Sequence, residues 1–203
     1  MNPTVPVAVL LSGSGRTLEN LLRRSPSDEL PIRIVGVVSS RPGVRGVAVA
    51  EEAGLPVAVF RRRDHPDAAA HSAAINAWLA PLAPRMILLA GYLCYYIPPP
   101  WLAGPVLNIH PALLPRFGGK GMYGERVHAA VLAAGETESG CTVHRVSDEY
   151  DAGEILGQRR VPVLPDDTVE TLAARVFAAE CELYPEVVGR LARMILVEGG
   201  SPP

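Results

Sequence analysis

The stretch VPVAVLLSGSGRTLENLLRR, Val5–Arg24, passes from an apolar run through a glycine-rich turn into leucines at helical spacing. Its first part, 5–13, is continuously apolar and β-branched up to a glycine, the pattern of a strand buried on both faces. Over 16–24, Leu18, Leu21 and Leu22 fall on one face of a helix. A buried strand feeding a helix in this way is one unit of a parallel sheet.

The unit recurs. A second buried strand is predicted over 32–40, a helix over 44–54 stopped by Gly54, and a third strand over 55–60. A helix over 67–80 lies between Pro66 and Pro81, followed by a fourth strand over 85–92 and a fifth over 106–110. The alternation predicts an α/β fold: an open, doubly wound, mostly parallel sheet with helices on both faces. Ligands in such sheets bind beyond the carboxyl ends of the strands. Three loops fall there: SGSGRT (12–17), GYLCYY (91–96) and NIHPALLP (108–115).

The pattern then changes. A helix over 124–135 precedes strands over 141–146 and 155–164, which flank a YDAG turn. A long amphipathic helix is expected from Asp167 to about Leu196, with Asp167 or Thr168 as its cap and Pro185 as a kink or break. The last residues, 197–203, read as a frayed tail. With no internal repeat and no linker, the chain reads as a single domain over 1–203, with halves of about 1–110 and 111–196.

Composition narrows the partners. The chain has 203 residues, 48% hydrophobic and 20% charged, enough for a substantial core. A net charge of −2 gives no ground for a nucleic-acid or membrane partner, which leaves small molecules. Cys94, Cys141 and Cys181 lack CxxC spacing and fit reduced thiols of a cytoplasmic protein better than a disulfide frame or zinc site. The start, MNPTVPVAVLLSG, lacks a basic segment and is too short in its apolar run for a signal peptide or membrane span. His65, His71, His128 and His144 show no metal-ligand spacing, so no metal is expected.

Three segments carry candidate chemistry. The loop Gly13, Ser14, Gly15, Arg16, Thr17 opens a helix, so its backbone N–H groups and the helix dipole suit a phosphate. It lacks the third glycine of a dinucleotide fingerprint and the GK[ST] ending of a P-loop, and a plain strand-to-helix turn reads equally well. Asn108 and His110, two apart on a strand, face one spot. An amide can donate to a developing oxyanion, and a histidine can move a proton or stabilise that oxyanion when charged. A strand-end histidine beside a capping asparagine is the plainer reading. No serine or cysteine nucleophile stands nearby, so in a catalyst the nucleophile belongs to the substrate. SDEYDAGE (147–154) reads as a solvated acidic hairpin unless one carboxylate reaches His110. His144 reads as core or as support to the site. Tyr92, Tyr95 and Tyr96 suit either a flat ligand or ordinary packing.

Taken in order, SGSGRTLENL, VLNIHPALLPRFGGKGMYGERVHAAVLAAG and GCTVHRVSDEYDAGEILGQRRVPVLPDDT resemble the folate-dependent formyltransferases. The likeness runs to about Leu191 and is strongest to the members of that family acting in purine synthesis. It implies transfer of the formyl group of 10-formyltetrahydrofolate, as co-substrate, to the amine of glycinamide ribonucleotide. By motif position, Asn108, His110 and the acid of D-x-G, Asp151, would surround the formyl group. Asp151 would hold His110 charged while Asn108 and His110 stabilise the oxyanion. The resemblance places the ribonucleotide phosphate on Gly13–Thr17 and its ribose at Glu180, in ECELYP. It places folate at Leu89, Tyr92, Leu93, Cys94 and Tyr95 and at Asp148 and Glu149, with no metal. It fits a monomer or homodimer.

The chain departs from the family pattern at Arg16, where asparagine is common, and at Cys94, where arginine is common. GGKGMYGERVH is also longer than the commonest form of that loop. These departures bear on the acceptor, so another amine acceptor, or hydrolysis of the formyl-folate, stands as the alternative.

Overall fold

The computed structural model describes residues 2–199. It divides into two compact units: the chain up to Val106 together with the part from Val188 onward, and Leu107–Val187.

In the first unit β1 (Val5–Leu11) leads into α1 (Arg16–Arg24), and β2 (Ile32–Ser39) leads into α2 (Arg45–Glu52). Next come β3 (Val57–Val59), α3 (Ala68–Leu79) and β4 (Met86–Leu89). The strand order is β3-β2-β1-β4, and every pairing is parallel. Val7 to Leu11 and Met86 to Leu88 are completely or almost completely buried, as two-sided burial of parallel strands requires. The carboxyl ends of β1, β2 and β4 meet at Ser12. Its hydroxyl contacts that of Ser40 at 2.5 Å and accepts from the Leu93 amide at 2.9 Å.

The second unit contains β5 (Val106–His110) from Leu107 onward, α4 (Glu125–Ala133), β6 (Glu138–Arg145) and β7 (Ile155–Pro162). Here the order is β5-β6-β7 and the pairing is antiparallel. Register decides the site. Asn108 lies opposite His144 and His110 opposite Thr142, so all four side chains share one face. The β6–β7 register shifts between Val143 and His144, a bulge beside the polar residues.

The last helix, α5 (Val169–Gly199), starts in this unit. Of the two expected caps, Thr168 accepts from the Thr171 amide at 3.3 Å, whereas Asp167 pairs with Arg175. Pro185 does not break the helix. Buried Leu183, Tyr184, Val187 and Val188 flank it, and packing holds the helix where one backbone donor is missing. The Tyr184 hydroxyl donates to the Leu107 carbonyl at 3.1 Å, tying α5 to the start of β5. The helix includes Val197–Gly199, and the rest of the expected frayed tail lies outside the described residues.

Candidate active site

Asp151 lies at the tip of the loop joining β6 and β7, at φ 56°. This left-handed conformation is one that aspartate tolerates better than most residues. It turns the carboxylate back toward the β5–β6 face. Oδ2 lies 3.5 Å from His110 Nδ1 and accepts from the Gly119 amide at 3.0 Å. Oδ1 lies 3.5 Å from Asn108 Nδ2 and 3.4 Å from His144 Nε2. The acidic loop is therefore not uniformly solvated: Asp148 and Glu149 are exposed, while Asp151 faces inward.

Hydrogen-bond accounting assigns the protons. His110 Nε2 lies 2.8 Å from the Phe117 carbonyl, which can only accept, so Nε2 carries hydrogen. Nδ1, facing Asp151, is the one ring position that can gain or lose a proton. His144 Nδ1 lies 2.9 Å from the Arg145 carbonyl and is likewise the donor. In neutral His144, Nε2 then accepts from the Asn108 amide at 3.0 Å. The same nitrogen lies 3.4 Å from Asp151 Oδ1, a contact that helps to lower the Asp151 pKa. One Asn108 hydrogen is thus firmly held, and the other points at Asp151 across a long 3.5 Å.

His110 is 3% exposed. Burial pushes its pKa below the usual histidine value, with the Asp151 charge and the Phe117 carbonyl pulling the other way and His144 adding to the fall. The attraction of Asp151 acts in the expected direction, and loss of hydration is the larger effect. For Asp151, burial raises the pKa, but the His144 contact, the His110 charge and the Gly119 amide together hold it below the usual carboxylate value.

Three partners had no signature in the residue spacing: the Phe117 carbonyl, the Gly119 amide and the Thr142 hydroxyl. Phe117 takes φ 57° to aim its carbonyl. At Gly118 an added Cβ would sit 2.5 Å from Leu114 Cδ2 and 3.3 Å from Asp151 Cβ, so any larger residue would have to displace Leu114. His144 is the supporting residue that the sequence suggested. Strand alternation puts it on the same face as Thr142 once the register is known.

The other sequence-derived residues are placed as follows. In the first unit, Gly15 at φ 75° precedes α1 with no side-chain cap on the helix. Gly13 and Thr17 are half-buried, and Ser14 and Arg16 are exposed. Arg45 pairs with Glu19 and donates to the Ser14 carbonyl at 3.2 Å, bracing the loop. Leu89 is buried, Leu93 exposed, and Cys94 and Tyr95 half-buried. Tyr92 and Tyr96 are buried edge to face at 6.3 Å. In the second unit, Glu180 is half-buried on α5, where its charge bears on Cys141 and Tyr184.

Residues 5–188 match the family described as Formyl transferase. Phosphoribosylglycinamide formyltransferase of Haemophilus influenzae is 36% identical over 184 residues, covering 90% of this chain and 84% of its own. A solved glycinamide ribonucleotide transformylase from Symbiobacterium toebii superposes with TM-score 0.85 at 35% identity, over 94% of this chain and 88% of its own. The phosphoribosylglycinamide formyltransferase of Brucella melitensis gives 0.81 at 41% identity, over 93% and 96%. These likenesses show the expected α/β fold with a mostly parallel sheet. A match that spans both units, with relatives alike over nearly their whole length, means that this chain belongs to the formyl transferase family and is a formyltransferase.

Proposed function

We propose that the protein transfers the formyl group of 10-formyltetrahydrofolate to the amine of glycinamide ribonucleotide, as the names of its relatives suggest. The observation that carries the reading is that Asn108 and His110 share one face and each contacts Asp151 at 3.5 Å. These contacts are loose enough for a reacting group to replace them.

The substrate amine attacks the formyl carbon, and the carbonyl oxygen becomes an oxyanion. The Asn108 hydrogen that points weakly at Asp151 turns to that oxygen, while the bond to His144 holds the amide plane. His110 begins neutral. As the carbon–nitrogen bond forms, its Nδ1 takes up the proton that the amine sheds, and the ionised Asp151 stabilises the imidazolium. The bond from carbon to the folate nitrogen then breaks, and the proton passes to that departing nitrogen.

In the same reading, the Gly13–Thr17 loop takes the ribonucleotide phosphate and Glu180 its ribose. Folate is held through Leu89, Tyr92, Leu93, Cys94 and Tyr95 and through Asp148 and Glu149. The half up to about residue 110 serves the nucleotide, and 111–196 the folate and the chemistry. The setting is cytoplasmic and the partners are small molecules. Among the described residues, no helix is long and apolar enough to cross a membrane.

The test mixes protein, 10-formyltetrahydrofolate and glycinamide ribonucleotide and follows formation of tetrahydrofolate, with a control lacking acceptor. Loss of formyl that requires the ribonucleotide supports the proposal. Loss without acceptor replaces it with hydrolysis. No loss in either, with folate bound, moves the acceptor to another amine and directs attention to Arg16.

A further inference from the structure

We infer that Thr142 is a positioning residue for His110: through the loop that follows β5, its hydroxyl decides which ring nitrogen of His110 carries the proton. This rests on the reading of His110 as the proton-handling group.

The observation is a row across three strands. His110 pairs with Thr142, and Thr142 with Gln158, in direct register. Thr142 is fully buried, and its hydroxyl makes every bond open to it. It donates to the Ala112 carbonyl at 2.6 Å and accepts from the Leu114 amide at 3.1 Å and from Gln158 Nε2 at 3.0 Å. Gln158 Nε2 directs its second hydrogen to the Leu114 carbonyl at 2.9 Å. Two side chains thus hold three backbone groups of the segment just after His110.

That segment returns to the histidine it left. Arg116 is anchored by Glu136, and the Phe117 carbonyl then accepts from His110 Nε2 at 2.8 Å. Two residues on, Gly119 donates to Asp151. The Phe117 carbonyl is what requires hydrogen on Nε2 and leaves Nδ1 open toward Asp151. Its place depends on the Ala112–Leu114 turn, and the turn depends on Thr142. Release of the turn frees Nε2 of its acceptor, and the proton can move to Nδ1, where Asp151 attracts it.

The test uses the full chain labelled with nitrogen-15 in histidine. Ring signals are read in the wild type, Thr142→Val, Thr142→Ser and Gln158→Leu, with the His110 signal identified by its loss in His110→Asn. Valine keeps the shape without the hydroxyl; serine keeps the hydroxyl. The wild type and Thr142→Ser are expected to show hydrogen on Nε2. In Thr142→Val the hydrogen redistributes to Nδ1, and kcat falls by about tenfold or more with KM for both substrates within about twofold, because misplacement costs rate more than binding. Gln158→Leu, on the exposed side of β7, gives a smaller change of the same kind and serves if the valine variant fails to fold. A folded Thr142→Val or Gln158→Leu with the wild-type His110 signature overturns the inference. A redistributed proton with undiminished transfer upholds it and counts instead against His110 as the reacting group.

Discussion

His110 gives its Nε2 hydrogen to the carbonyl oxygen of Phe117, 2.8 Å away, and so presents only Nδ1 to Asp151. A histidine tied in this way has one exchangeable position, and the buried carboxylate beside it marks where the proton goes. Removal of the Asn108 amide, which meets the formyl oxygen, or of the His110 imidazole, which takes the amine proton, should therefore be felt mainly in the transition state. For Asn108→Ala and His110→Ala we expect kcat to fall by about 10²- to 10³-fold, with folding intact. Steady-state transfer assays beside thermal unfolding check this, and near-wild-type turnover in either variant would sink the assignment.

Asp151 raises the pKa of His110 against the larger lowering by burial. Asp151→Asn removes the charge and keeps the shape, so the His110 titration should move still further below about 6.5. Nuclear magnetic resonance of the ring follows it directly. An upward movement would mean that the carboxylate does not act on His110 as a negative charge.

His71 gives a test away from the site. It is buried on α3 with Nε2 on the Phe60 carbonyl at 2.8 Å, and its Nδ1 has no hydrogen-bond partner among the described residues. Burial lowers its pKa most, the Phe60 bond opposes, and His65 and Arg62 add to the fall. The unfolded chain thus takes up a proton near pH 6.5, before the folded chain does. Stability is full above that value and declines as pH falls toward the lowered folded pKa. His71→Gln keeps a donor for Phe60 and removes the titration. The drop in Tm from about pH 8 to about pH 5 should shrink, though His110 and His128, also lowered by burial, leave part of it in place. An unchanged drop would show that His71 does not couple to folding.

Gly15 tests the loop before α1. An added Cβ would meet Gly46 Cα at 2.5 Å, and backbone at φ 75° strains any side chain. Gly15→Ala should cost about 1–3 kcal/mol, visible as a lower Tm, and weaken binding of the phosphate-bearing acceptor. A variant as stable as the wild type would contradict the close approach of loop and α2.

Local pattern sufficed for much of this. The βα alternation was legible because two-sided burial and helical spacing are written in neighbouring residues. So were the Gly13–Thr17 turn and the pair Asn108 and His110, whose shared face follows from strand geometry alone. The resemblance to formyltransferases added Asp151 by its place two residues before Gly153. Tertiary structure decided the rest. Which acid of SDEYDAGE turns inward depends on a backbone conformation at Asp151 and on an amide donor at Gly119, 32 residues earlier. That His144 holds Asn108, and Thr142 the loop after His110, depends on the β5–β6 register, which no spacing within either strand specifies. The balance of effects at His110 belongs to the tertiary structure for a related reason. Chemistry in sequence shows which charges are available, but the cost of removing an imidazole from water is set by everything packed around it.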